Sequence, residues 1–348
     1  MQKVFVALLG FIPITIAASV LGSSPTVLFF LSALAIVPLA RFIGRATEEL
    51  SARSGPALSG LLNASFGNAT ELLIGFFAIR QGLVEVVKAS LTGSIIGNLL
   101  LVLGTATFAG GWSYKTQQFN LSAAHANAST LLLAVIAMTI PAIFYQTIPS
   151  MLSATIESLS LLVSALMIVT YLASLWFAFR THPHLYSEEL EHYEAKWTLK
   201  KSVTILFTAT LTAAGMSDVL VHSIEPVALG LGWTQQFIGV VVVAVVGNSA
   251  EHMSAISMAL RNKMDLTLQI SIGSATQIAM FVAPVLVLTS IIFPNPMSLV
   301  FSTFELAAII LSVLIVNQVV ADGESNWFEG LQLMMAYGIM AVAFFLHT

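Results

Sequence analysis

The sequence predicts an all-α integral membrane protein of about 11 transmembrane helices, built as one N-terminal span plus two inverted-topology five-helix repeats. Three observations predict it. Of 348 residues, 57% are hydrophobic and only 9% charged, against about 25% charged in a soluble domain. No soluble fold of this size has an interior for so much apolar side chain, so its solvent is lipid. Apolar runs of spanning length recur along almost the whole chain, and one short motif occurs twice, 180 residues apart.

An α-helix rises about 1.5 Å per residue, so about 20 apolar residues cross the hydrocarbon core. Such runs fall near 3–20, 26–43, 56–80, 83–109, 123–144, 153–179, 200–222, 233–260, 264–292, 298–319 and 327–347. The first follows Lys3 and closes in small residues, an outline it shares with a signal peptide. It is taken as a span, because multispan chains rarely need a cleaved leader. The expected organisation is an N-terminal span (1–22), a first half (23–179), an acidic cytoplasmic linker (180–199) and a second half (200–348).

Threading these spans sorts the basic residues. One side takes Lys3, Arg41, Arg45, Arg53, Lys115, Arg180, Lys196, Lys200, Lys201, Arg261 and Lys263; the other takes Arg80 and Lys88. By the positive-inside rule the N-terminus and the linker are cytoplasmic and the C-terminus is outside. The expected location is a prokaryotic cell (inner) membrane. A net charge of −4 without a basic cluster argues against a nucleic-acid partner. The absence of cysteine excludes disulfides, thiolate metal sites and cysteine nucleophiles. Neither an HExxH nor a GxSxG motif is present, so a transporter is expected rather than an enzyme, with no cofactor. The expected partners are the lipid bilayer and the transported ions, and homo-oligomerisation stays open.

The chemistry sits in the repeat. GNATE (67–71) in the third span and GNSAE (247–251) in the eighth share an offset that continues from Gly93-Ser94 to Gly273-Ser274 and also relates Ala64 to Ala244. Such agreement across two helices and a loop indicates an internal duplication. The copies lie five spans apart, so they cross the membrane in opposite directions, as in many secondary transporters that bind their substrate near the midplane. On continuous helices, Gly60, Ala64, Gly67, Glu71 and Gly75 form one stripe, matched by Ala244, Gly247, Glu251 and Ala255. Each stripe carries one acid among small residues that admit a neighbouring helix.

An ionised acid at mid-bilayer costs roughly 2.5–3.5 kcal/mol, and a bound cation offsets that cost. Ca2+ takes 6–8 oxygens from carboxylates, amides and backbone carbonyls. Glu71 and Glu251 neutralise its charge. Gly67-Asn68 and Gly247-Asn248 loosen the helices so that carbonyls face the ion, and Asn98, Ser94, Gln277 and Ser274 offer further oxygens. No His/Cys cluster points to zinc or copper; Mn2+ is not excluded. Burial without a cation favours the protonated acids, so protons and Ca2+ compete. A loaded site is near neutral and free to switch faces, whereas an empty, doubly negative one is penalised. That is antiport.

At these residues the chain resembles the Ca2+/H+ exchanger branch of the calcium/cation antiporter (CaCA) superfamily. GNATELLIGFFAIRQG…ASLTGSIIGNLLLVLG (67–104) and VVGNSAEH (245–252) are similar to its two signature repeats. IVPLARFIGRATEEL (36–50), HSIEPVALGLG (222–232) and DGESNWFEG (322–330) extend the likeness over almost the whole chain. The resemblance implies exchange of Ca2+ for protons by alternating access, with Glu71 and Glu251 as essential ligands and Asn68, Asn98, Asn248 and Gln277 nearby. Sodium-linked relatives tend to carry Ser/Thr- and Pro-rich motifs around their acids. The pattern departs in two places: Ala244-Val245 stands where members often have a proline, and Gly97 where serine is common.

Blander readings stand beside these. Glu71 and Glu251 would serve as interhelical polar contacts, Gly93-xxx-Gly97 as a packing motif, and Asn98 and Gln277 as interhelical hydrogen bonds without an ion. His252 is read either as a proton relay beside Glu251 or as a satisfied polar residue. Glu157, Asp218 and Glu305 fit salt bridges or interfacial positions better than a water path. Glu188, Glu189, Glu191 and Glu194 form either a cytosolic Ca2+ sensor or a solvated acidic loop, and His182 and His184 are weak evidence for a metal. Competing functions are a Na+/Ca2+ exchanger, an antiporter of another divalent cation such as Mn2+, and a cation channel.

Overall fold

In the computed structural model the described residues are 2–54, 56–147, 153–182 and 195–347. They form helices α1 (Phe5–Val20), α2 (Pro25–Ser51), α3 (Pro56–Leu62), α4 (Ala69–Arg80), α5 (Val84–Ser113), α6 (Leu121–Thr147), α7 (Ala154–Trp176), α8 (Leu199–Leu231), α9 (Gln235–Gly247), α10 (Ser249–Ala259), α11 (Met264–Ser290), α12 (Thr303–Val319) and α13 (Trp327–Leu346). Seven of these are long and apolar enough to cross a membrane, and the pair α9 and α10, bent by 57°, makes an eighth. Two-residue strands β1 (Gln117–Gln118) and β2 (Glu324–Ser325) pair antiparallel at one end.

The offset of 180 residues is written in the backbone. Helices α4 and α10 both begin after a break, at Asn68 (φ −104°, ψ 25°) and Asn248 (φ −83°, ψ 14°). The turns that follow use left-handed residues at matching positions, Gly82 (φ 77°) and Asn262 (φ 58°), where glycine and asparagine are tolerated best. Helices α5 and α11 start at Val84 and Met264. Both then widen into a π-helical segment, Gly97–Val102 and Ile278–Val282. Such bulges recur at functional sites in helices.

Helices α5 and α11 lie innermost, with 89% and 72% of their apolar windows buried, while α7 and α13 are only 22% buried and face outward. α13 packs against the second part of α5, as α7 packs against the second part of α11. α2 and α8 run along each other outside this core. Helix starts near the membrane surface are coded locally. Thr198 and Thr234 accept from backbone N–H groups in the first turns of α8 and α9. Ser302–Glu305 and Asn326–Glu329 form reciprocal capping boxes at α12 and α13.

Several boundaries move from the sequence expectation. α2 continues to Ser51 instead of ending at 43, because helix-favouring Arg, Glu and Ala carry it past the apolar run. α8 reaches Leu231 after an irregularity at Ser223. α12 starts at Thr303, not 298, because the Ser302 box sets its first turn. The stripe Gly60, Ala64, Gly67, Glu71, Gly75 does not lie on one continuous helix. The π turn Asn63–Gly67 and the break at Asn68 shift its phase, and the break at Asn248 does the same to the second stripe.

Candidate functional site

The two signature motifs meet. Glu71, on the first turn of α4, is 7% exposed. A Cβ at Gly247 would lie only 2.9 Å from its Oε1, so the glycine of the second motif makes room for the acid of the first. Glu251 stands on the first turn of α10, four residues, about one helical turn, beyond Gly247. The two acids therefore face one locality, each at the N-terminal end of a helix that begins after a break.

The carboxamides cross between the halves. Asn68 donates to Gln277 Oε1 on α11 at 2.8 Å. Asn98 on α5 donates to Asn248 Oδ1 at 2.9 Å and to Ser274 Oγ at 3.1 Å, while Asn248 donates to the Ala244 carbonyl at 2.8 Å. Each signature asparagine thus pairs with a carboxamide from the other half. Asn98 and Gln277 sit one position off the 180-residue offset, Asn98 within the π-helical segment Gly97–Val102 and Gln277 just before the segment Ile278–Val282.

Several buried oxygens have no hydrogen-bond partner among the described residues: Glu71 Oε1, Glu251 Oε2, Asn98 Oδ1, Ser94 Oγ and Ser249 Oγ. A buried oxygen left unpaired costs about 1–3 kcal/mol, and a cation is one group that satisfies several at once. No cluster of three or more His, Cys, Asp or Glu residues that could hold a metal occurs among the described residues. Any cation here draws on two carboxylates plus amide, hydroxyl and carbonyl oxygens, the donor set that suits hard Ca2+.

Other expected residues have plainer placements. His252 Nδ1 lies 3.0 Å from the Asn248 carbonyl oxygen, a local bond within its own helix. Gly67 packs against Asn63, whose Oδ1 would be 3.2 Å from an added Cβ. Glu305 belongs to the α12 capping box, Asp218 pairs with His222 at 3.5 Å, and Glu157 is exposed. His182 stacks on Phe177. Glu188, Glu189, Glu191, Glu194 and His184 lie outside the described residues.

Sequence reasoning missed Tyr171 on α7. It is 3% exposed, and its ring tilts against Phe281 of α11. It missed Ser249 as well, which the GNSAE motif contains in plain view. An isolated tyrosine in an apolar span carries no spacing signal, so only the packing of α7 on α11 reveals it.

A family profile described as "Sodium/calcium exchanger protein" matches the chain twice, at residues 24–180 and 201–346. The chain is 46% identical over 353 residues to the Ca(2+)/H(+) antiporter ChaA of Bacillus subtilis (strain 168), covering 99% of this chain and 100% of that protein. It is 46% identical over 364 residues to the Ca(2+)/H(+) antiporter of Synechocystis sp. (strain ATCC 27184 / PCC 6803 / Kazusa), covering 99% and 98%. The solved structure of native YfkE superposes with a TM-score of 0.87 at 44% identity, covering 98% of this chain and 99% of that one.

Proposed function

Because the chain belongs to the sodium/calcium exchanger protein family, we propose that it exchanges Ca2+ for protons across a membrane by alternating access, with Glu71 and Glu251 binding Ca2+ or protons in competition. The observation that carries this reading is the seating of the Glu71 carboxyl against Gly247 of the opposite motif, together with buried oxygens of Glu71, Glu251, Asn98, Ser94 and Ser249 that have no hydrogen-bond partner among the described residues. Ca2+ on the two carboxylates gives a neutral, satisfied site, and so do two protons. Neither ion gives two adjacent buried charges, which resist the change between faces. The barrier to moving empty couples the two fluxes. The relatives' names favour protons over Na+ as the counter-ion.

The proposed architecture is one N-terminal span and two inverted five-helix halves, 23–179 and 200–348, joined by the linker 180–199. It is supported by the backbone features that recur at the offset of 180 residues and by a single family profile that matches each half. The charge distribution supports a cytoplasmic N-terminus and an outer C-terminus. The deciding experiment is Ca2+ uptake into proteoliposomes under an imposed pH gradient, with a Na+ gradient in parallel. Uptake driven by the pH gradient is expected. Uptake driven by Na+ alone contradicts the proposal, and sustained conductance without a counter-ion identifies a channel instead.

A further inference from the structure

An apolar groove of about 210 Å3 opens where α1, α2 and α8 converge, lined by Leu9, Leu39, Phe42, Ile205, Thr208 and Thr212 among others. All three helices reach a cation at the same end of it. Arg45 follows Phe42 by three residues, close to one turn, and Lys201 precedes Ile205 by four. Both stand over the Trp197 ring, at 4.7 and 4.8 Å from its centroid. Arg41 sits 4.8 Å over the ring of Phe5, four residues before Leu9. The cations and the two rings therefore gather at one mouth of the groove.

These cations form no ion pair with a carboxylate among the described residues, where the two pairs found are Lys88–Glu85 and His222–Asp218. Glu48 is close enough to act on Arg41 and Arg45 without pairing, and Glu49 is committed to the Trp197 backbone N–H at 2.8 Å. A guanidinium over a ring keeps its edge N–H groups for an anion. Trp197, under two of these cations, is the residue type of the amphipathic belt at a membrane–water interface. Basic pockets between spans are the sites that take anionic headgroups.

We infer that this groove binds an anionic glycerophospholipid of the leaflet on the arginine-rich side, its phosphate held by Arg41, Arg45 and Lys201 and an acyl chain laid along Leu39, Phe42, Ile205 and Thr212. The charge complementarity selects an anionic headgroup over a zwitterionic one, and the position within the bilayer supplies the ligand at high local concentration. Because α2 and α8 are the two long helices packed along each other, the lipid bridges them at one end.

Native mass spectrometry of the full-length protein tests this, with phosphatidylglycerol and phosphatidylcholine added in equal amounts. The wild type should retain phosphatidylglycerol at least tenfold over phosphatidylcholine. Two independent variants should abolish that preference: Arg45→Gln with Lys201→Gln, which removes headgroup contacts, and Thr208→Phe, which fills the groove from its exposed rim and spares every cation. Equal retention of the two lipids by the wild type overturns the proposal, as does an undiminished preference in Thr208→Phe. The rival occupant is the acidic segment of this chain. If the preference appears only after Glu188, Glu189, Glu191 and Glu194 are all changed to Gln, that segment holds the cations and the lipid site is refuted.

Discussion

Helices α5 and α11 occupy matching positions at the offset of 180 residues, yet their surroundings differ. An added Cβ at Gly93 of α5 would run into the backbone of Val240, and one at Gly239 would lie 2.7 Å from Ala89 Cβ. There α5 and the π-helical part of α9 touch backbone to backbone. At the matching Gly273 of α11, the nearest atom among the described residues is Gln269 Cγ, at 3.9 Å. Ala89, Gly93 and Gly97 are buried, whereas Gln269, Gly273 and Gln277 are half-buried. Close-packed glycines fill the contact on one side, and half-buried glutamines flank the matching glycine on the other. Matching positions in two different packings are what the proposed alternating-access cycle needs. On the proposed orientation Gly93 lies toward the outside and Gly273 toward the cytoplasm.

The acids themselves give the largest effect expected. Glu71→Gln and Glu251→Gln should each lower exchange in proteoliposomes by roughly 100-fold or more, since ligand charge sets Ca2+ affinity, with yield and folding near normal. An unequal loss between them would show that the halves do not share the site evenly. Next come the two gate glycines. Gly93→Val must displace the Val240 backbone, so it should cost about 1–3 kcal/mol and lower the melting temperature in detergent. Gly273→Val has space in this packing and should shift stability by less than about 0.5 kcal/mol. It should nonetheless slow exchange, because the mirrored packing cannot close over valine. Equal melting temperatures for the two variants would break the comparison.

Most of the candidate site was legible in the sequence because a motif repeated at a fixed offset picks out Glu71, Glu251, Asn68 and Asn248 without any coordinates. The pairing across halves, Asn68 with Gln277 and Asn248 with Asn98, was not legible. It depends on how α4 and α10 bend after their breaks, and a helix drawn with constant periodicity puts Gly60 and Gly75 on a stripe that the π turn Asn63–Gly67 interrupts. Hydropathy located the apolar stretches but neither their ends nor their continuity: about 11 spans were expected, and among the described residues seven helices are long and apolar enough to cross, or eight with the bent pair α9 and α10. It reports lipid contact, whereas α2 runs past its apolar stretch on propensity and α12 begins where a capping box dictates. Tyr171 escaped because only its burial against α11, and no neighbour in sequence, singles it out.

Smaller effects refine the picture. Gly247→Ala places a methyl group against the Glu71 carboxyl, while Gly67→Ala meets only the Asn63 side chain, so Gly247→Ala should weaken apparent Ca2+ affinity several-fold more. Asn98→Ala leaves Asn248 and Ser274 without their donor and should lower affinity about 10-fold, the low end of losses for groups that orient ligands. Acidification should weaken apparent Ca2+ affinity, since only the deprotonated acids bind the metal. The loss reaches about tenfold per pH unit for each proton displaced. Equilibrium binding titrations between pH 6 and 8 read this directly, and a flat profile would contradict competition.

The most direct measurement is calorimetric Ca2+ titration of the purified protein in buffers of different ionisation enthalpy, which reports affinity and protons released together. The account predicts that the wild type releases protons as it binds Ca2+, and that Glu71→Gln and Glu251→Gln each lose both the binding and the release. Wild-type affinity with unchanged proton release in either variant would show that the metal and the protons do not meet at these two side chains.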